Sequence, residues 1–273
     1  MATEGHTPKD SERIKASLDR IRNRLLVFSG KGGVGKTTVA VNIAAGLALE
    51  GRRVGVLDVD IHGPNVARML GVEGAAMAAP EGGRLKPVMA PGGIEVVSMA
   101  FFTQGPDSPV VWRGPLKMRV ITQFLADVDW GDLDWLVMDS PPGTGDEPLS
   151  VAQLVPATAA IVVTTPQAVA LLDSRRAVRF AELLKLRMLG VVENMSGLIC
   201  PHCGKEIQLF KKGGGARMAR EMLVPFLGAI PIDPAVVDSG DGGKPFVVEQ
   251  PDSAAAKALK EIVAKIIEAE APA

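Results

Sequence analysis

Residues 29 to 38 read SGKGGVGKTT, between an apolar run ending at Phe28 and a helix-period stretch that follows. No regular element survives four glycines in the six residues Gly30, Lys31, Gly32, Gly33, Val34 and Gly35. A strand must therefore stop, and a helix restart, around a tight loop. Such a loop turns backbone N–H groups inward, and the new helix points its positive end at the same spot, which makes a cradle for phosphate. In the spacing G-x-x-x-x-G-K-[ST], Lys36 reaches the β- and γ-phosphates, the Thr37 hydroxyl binds Mg²⁺, and Thr38 continues the wall. The loop has one cation more than this task needs: Lys31.

The rest of the chain repeats the strand-then-helix rhythm. Apolar β-rich runs fall at 25–28, 53–58, 94–99, 134–139, 159–165, 189–194 and 226–231, and helical periodicity fills 37–50, 115–126, 147–154, 168–186, 214–223 and 253–268. Strands apolar on both faces and separated by helices predict an α/β fold, a mostly parallel, doubly wound sheet covered on each side. Ile14, Leu18 and Ile21 recur at helical spacing, which gives residues 1–23 as a tail and short helix, and 24–270 as one P-loop NTPase domain. The Gly/Ala/Pro-rich stretch 74–93 reads as a surface excursion.

Composition narrows the function classes. Thirty basic residues against thirty-one acidic ones predict no strong pull on nucleic acid or anionic membrane. The N-terminal residues are polar, with no secretory signal, and no apolar run reaches the ~18 residues of a bilayer span. The two cysteines, Cys200 and Cys203, stand too close together to staple distant segments. A cytoplasmic protein from a reducing compartment is the expectation.

GKGGVGKTT resembles the deviant Walker A signature of the MinD/ParA/ArsA/NifH class of ATPases. The resemblance implies that Lys31 crosses a homodimer interface to the phosphates bound by the other subunit. In physical terms, such a cation stabilises charge developing on the γ-phosphoryl. VLDVDIHGPN then corresponds to switch I, with Asp60 as the residue that orients or deprotonates the attacking water and Asp58 near hydrated Mg²⁺. LVMDSPPGTGDE corresponds to a Walker B strand and switch II, with Asp139 holding Mg²⁺ through water and the Gly143 amide facing the γ-phosphate. Asn194 after VVE, and Pro231 and Asp233 in AIPID, correspond to the adenine pocket, so the resemblance implies ATP as the nucleotide. An isolated Asp after a strand is by itself an ordinary cap or turn residue. The order of loop, switch I and switch II gives these acids their weight.

The segment CPHCG carries a C-x-x-C pair, whose thiolates suit soft transition metals. Structural zinc and iron–sulfur clusters want four ligands, and the chain offers two, so two copies would complete one site on a two-fold axis. On residue chemistry alone zinc stands slightly ahead of iron–sulfur, with a redox pair third. NMSG…CPHCG, with DSPPGTGDE and DVDIHGPN, is similar to the Mrp/ApbC branch of the class, which reverses that order. The resemblance implies an ATPase that carries a [4Fe–4S] cluster bridged by Cys200 and Cys203 of two subunits, with apo iron–sulfur proteins and assembly factors as partners. Some relatives carry an N-terminal four-cysteine site and others an accessory N-terminal domain; from this sequence neither is expected. Two rivals remain, a positioning ATPase of the MinD or ParA kind and a zinc-bridged regulatory dimer. The apolar stripe Leu259, Ile262, Val263, Ile266 and Ile267 predicts a C-terminal helix packed on the domain; its mixed charges do not suit a membrane surface.

Overall fold

The structure, a computed structural model, describes residues 8–60, 63–79, 83–102, 114–200 and 202–270. Ile61 and His62 of the switch I segment, Pro201 of the cysteine loop and the first seven residues lie outside the described residues.

A short helix α1 (Pro8–Leu18) leads directly into β1 (Ile21–Ser29). The chain continues through α2 (Lys36–Leu49), β2 (Val54–Asp58), α3 (Val66–Met69), β3 (Val88–Ala90), β4 (Ile94–Ser98), a 3₁₀ turn (Met99–Phe102), α4 (Gly114–Ala126) and β5 (Leu133–Asp139). Then follow α5 (Asp146–Leu154), β6 (Ala159–Thr164), α6 (Ala168–Leu183), β7 (Arg187–Glu193), a hairpin of β8 (Leu198–Ile199) and β9 (Glu206–Ile207), and α7 (Gly214–Glu221). The last elements are β10 (Phe226–Ala229), α8 (Ala235–Asp241), α9 (Phe246–Glu249) and α10 (Ala254–Glu268). Eight strands form one sheet in the order β10-β7-β6-β1-β5-β2-β4-β3, all parallel except the β3–β4 edge pair.

The side-chain parity of β1 explains its apolar run. Leu25 and Val27 face one core, shared with α2, α9 and α10, while Leu26 and Phe28 face the other, shared with α1, α4, α6 and α7. Both faces are sealed, so there is no polar face to show in the sequence. Helix α2 is small-residue rich because it runs deep in the first core: a Cβ at Gly46 would sit 2.7 Å from a Val263 methyl of α10. The α10 stripe of Leu259, Ile262, Val263 and Ile266 is buried against this layer, and Ser253 Oγ caps the helix by accepting the Ala256 N–H. The C-terminal helix therefore packs on the domain.

Two local expectations are corrected. Ile21 does not extend the leading helix: it opens β1, in register with Leu133, because pairing with β5 and a buried face outweigh its spacing from Leu18. The stretch 74–93 is less irregular than its composition suggests, since its end supplies strand β3 against β4. The last three residues of the 53–58 and 134–139 runs pair as strand ends, bringing Asp58 beside Asp139.

Candidate functional site

Parallel strands deliver their C-terminal ends to one edge of the sheet, and the first strand–helix loop opens there. β1 ends at Ser29, and α2 begins at Lys36 without a side-chain cap, leaving its N–H groups directed into the loop. Gly33 and Gly35 take φ of 77° and 79°, the left-handed region that glycine enters without cost. Gly35 has a second reason to lack a side chain: a Cβ there would meet the Asn194 amide nitrogen at 2.3 Å. A space of about 250 Å³ lies over the loop, bordered by Lys31, Gly32, Lys36, Thr37, Asp60 and Pro142.

Beneath it, three carboxylates crowd around one buried ammonium. Lys36 Nζ lies 2.6 Å from Asp139 Oδ1 and 3.6 Å from Asp60 Oδ2. Thr37 Oγ1 donates to Asp139 Oδ2 at 2.6 Å. Asp58 is wholly buried and accepts from the Ser98 hydroxyl at 2.9 Å and from the backbone N–H groups of Asp60 and Val66. Burial, and then the nearby charge of Asp139, push the Asp58 carboxyl well above the usual carboxylate range; Ser98 and Lys36 pull against that. Asp58, Asp60, Asp139 and the Thr37 hydroxyl would offer oxygen donors to a divalent cation. The donors are hard oxygens, the set that Mg²⁺ prefers. Among the described residues no three His, Cys, Asp or Glu side chains converge as a cage.

Lys31 lies half-buried at the lip of the loop, and its carbonyl accepts the Ser29 hydroxyl at 2.9 Å. Among the described residues no carboxylate lies within ion-pair distance of its ammonium. The Gly143 amide does not face the loop's interior here: its N–H donates to the Ser29 carbonyl at 2.9 Å. Before that amide could serve a phosphate, the segment that carries it would have to release Ser29; Gly143 sits at φ 96°, where glycine turns without strain. Asp146 is the first residue of α5, and Gly145 holds the cap position.

A larger cavity of about 530 Å³ adjoins the loop, lined among others by Thr38, Asn65, Arg68, Asn194, Pro231 and Asp233. Asn194 donates from Nδ2 to the Val34 carbonyl at 2.9 Å, and Asp233 Oδ1 accepts the Ala235 N–H. Two neighbours of this region were not legible as site residues. Ser98 closes an apolar strand with a polar side chain at the sheet edge where Asp58 and Asp139 do the same, a pattern that could have identified it. Leu209 and Phe210 also line the cavity, and nothing local in their sequence announces it.

Cys200 and Cys203 sit apart from this centre, at the tip of the β8–β9 hairpin, where Leu198 pairs with Ile207 and Ile199 with Glu206. The turn is closed by the Cys200 N–H to the Lys205 carbonyl and the Gly204 N–H to the Cys200 carbonyl, both 2.9 Å, with Gly204 at φ 67°. Cys200 is half-exposed, Cys203 and His202 are exposed, and the cysteines are not joined in a disulfide. The backbone N–H of Cys203, then that of His202 and the Cys203 thiol, hold the Cys200 thiol below its ordinary value. Hydrogen bonds to sulfur of this kind tune metal-bound thiolates.

A family profile described as NUBPL iron-transfer P-loop NTPase matches residues 20–267. An iron-sulfur cluster carrier protein of Saccharolobus solfataricus is 46% identical over 256 residues, 93% of this chain and 86% of that protein. The cytosolic Fe-S cluster assembly factor NUBP2 of Bos taurus is 45% identical over 262 residues, 94% of this chain and 96% of that one. A nucleotide-binding protein from Archaeoglobus fulgidus, solved in complex with ADP and with cobalt, superposes with a TM-score of 0.78 at 38% identity; 89% of this chain and 93% of that one are covered.

Proposed function

This chain belongs to the family of NUBPL-type iron-transfer P-loop NTPases, and from that premise we propose that it hydrolyses ATP and carries a [4Fe–4S] cluster, held between two copies of itself, for delivery to apo-proteins. The observation that carries this reading is the hairpin tip: two free thiols, one half-exposed and one exposed and the chain's only two, on a built turn with half the ligands a cluster needs. A two-fold axis through that tip supplies the other half.

ATP lies along the two cavities, its base against Asn194, Pro231 and Asp233, and its phosphates in the loop from Gly30 to Thr38. The Gly32, Gly33, Val34 and Gly35 amides and the α2 N-terminus bind the phosphate oxygens. Thr37 and Asp139 would hold Mg²⁺, with Asp58 beside them, and the ion would draw charge from the β- and γ-phosphates. Lys36, released from Asp139 by the nucleotide, neutralises the same oxygens. Asp60 orients the attacking water and takes its proton as the oxygen–phosphorus bond forms and the bond to the β-phosphate oxygen breaks. Lys31 of the partner subunit adds the cation at the γ-phosphoryl. ATP thereby draws the subunits together, and hydrolysis relaxes them. The bovine relative's cytosolic description supports a cytoplasmic carrier whose partners are iron–sulfur apo-proteins and assembly factors.

Protein purified and reconstituted without oxygen tests this. The expected preparation is brown, with broad visible absorption and about four irons per dimer, and it sediments as a dimer; Cys203→Ala takes up no cluster. A colourless dimer containing zinc overturns the cluster reading in favour of a zinc-bridged ATPase, and a monomer in the presence of both ATP and cluster overturns both.

A further inference from the structure

The cysteine hairpin takes no part in the eight-stranded sheet. It is an excursion from the end of β7 to the start of α7, and one side chain ties both of its ends. Glu193, the last residue of β7, is wholly buried. Its Oε1 accepts the Ser196 hydroxyl on the way into the excursion and the Gly213 N–H, at 2.9 Å, on the way out. Its Oε2 accepts the Gly215 N–H in the first turn of α7. Among the described residues no lysine, arginine or histidine lies within ion-pair distance of it. These three donors and the positive end of α7 are therefore what make its burial tolerable. If the excursion undocked, a buried carboxylate would lose its partners, so the hairpin is held in one place or released, with little between.

The same strand end grips the nucleotide loop. Asn194, the next residue, donates to Val34 and packs against Gly35. Met195 follows at φ 57°, a left-handed conformation that a methionine keeps only where its surroundings impose it. The excursion also walls the nucleotide cavity, through Leu209 and Phe210 on its returning limb. Its entry is stitched to the base-pocket segment by the Ser196 N–H to the Ile230 carbonyl and the Ile232 N–H to the Gly197 carbonyl, at 2.9 and 2.7 Å.

We propose that Glu193 is a positioning residue that couples the two sites: by fastening the cysteine excursion to the strand end that grips the phosphate loop, it makes the placement of Cys200 and Cys203 follow nucleotide occupancy. This deepens the carrier reading and rests on it for its biological purpose, yet the coupling is measurable without any cluster. Because Cys200 and Cys203 are the chain's only cysteines, thiol reagents report on the hairpin alone.

The experiment follows the reaction of the reduced, cluster-free full chain with Ellman's reagent, with and without Mg·ADP, alongside calorimetric titration of Mg·ADP. In the wild type, Mg·ADP slows the thiol reaction by about tenfold, the change that one hydrogen bond to a carboxylate makes in a docking equilibrium. In Glu193→Gln the amide group turns an N–H₂ toward a backbone donor. The thiols then react at the fast rate with or without Mg·ADP, although Mg·ADP still binds. Slowing that persists in Glu193→Gln, or a wild-type rate indifferent to Mg·ADP, overturns the proposal. Ser196→Ala removes one donor and leaves two, so it folds even if Glu193→Gln does not, and it should show an intermediate response; a wild-type response there overturns the proposal as well. Wild-type protein that takes up no iron yet protects its thiols with Mg·ADP would sink the carrier reading and leave this coupling standing.

Discussion

The phosphate loop with its strand-end acids and the cysteine hairpin differ most in how far each is finished within one chain. At the sheet edge Lys36 is 6% exposed, and its partners Asp60 and Asp139 are as buried. Every group there is held by the parallel register of β1, β2 and β5. At the hairpin two residues pair with two, the thiols face outward, and the flanking Ile199 and Ile207 are nearly half exposed. The first region has most of its groups placed by the fold. The second is a short, exposed turn that in the proposed reading takes its remaining ligands from a second copy. Chemistry that stabilises developing charge benefits from fixed, dry donors, whereas cargo that must leave again benefits from an open site.

Substitutions at the two lysines of the loop should separate these kinds of site most sharply. Lys36→Ala should reduce ATP turnover by about 10³-fold or more, since it removes a cation from a buried site where charge develops. It should also cost stability, on the order of 3 kcal/mol, by leaving Asp139 and Asp60 buried without their ammonium. Steady-state turnover and urea denaturation check both, and a variant as stable as the wild type would mean that the acids are not held by Lys36. Lys31→Ala should reduce turnover by about 10²-fold, with stability and ADP affinity little changed, because among the described residues no ion pair depends on it. Unaltered turnover would show that no partner subunit's lysine reaches the phosphates.

At the hairpin the prediction is a small effect on folding. Cys203→Ala should shift the unfolding free energy by no more than about 0.5 kcal/mol, as for other exposed positions, while abolishing cluster uptake. A larger loss in the cluster-free protein would mean that the tip contributes to the fold, and the contrast between a finished and an open site would weaken.

The sequence reveals the two regions unequally, and for the same reason. The loop, Asp58 and Asp139 each close an apolar run, and burial on both faces makes such runs conspicuous. What brings them together is less visible: Lys36 meets Asp139 across about a hundred residues, by strand order alone. The seven long strands were legible, whereas β3, β8, β9, α3, α8 and α9 have two to seven residues and exist through the tertiary contacts around them. Ser98 could have been read from its place at a strand end. Glu193 could not, since nothing in VVEN says that its partners are Ser196, Gly213 and Gly215. Cys200 and Cys203 were plain as a pair, but whether they sat on a built turn or a loose loop was a question of hairpin pairing, which two-residue strands do not announce.

A last prediction lies away from both regions and serves as their control. Glu95 on β4 is half-buried, one of its carboxylate oxygens has no hydrogen-bond partner among the described residues, and burial, then the charge of Asp129, raise it from 4.5 to about 7, with Lys86 opposing. The folded state therefore holds this proton more tightly than the unfolded chain. Its contribution is fully present below about pH 4.5, the ordinary glutamate value. It is lost as pH rises through 7, because the native state binds more protons across that window. Solvent reaching a half-buried group reduces the effect to about 1 kcal/mol. Glu95→Gln should flatten that part of the stability profile between pH 5 and 8 and raise stability at pH 8 by about the same amount, with ATP turnover and cluster uptake unchanged. If turnover in Glu95→Gln instead lost its dependence on pH, the far edge of the sheet would be reporting on the nucleotide site, and the separation between buried centre and periphery would have to be redrawn around β2 and β4.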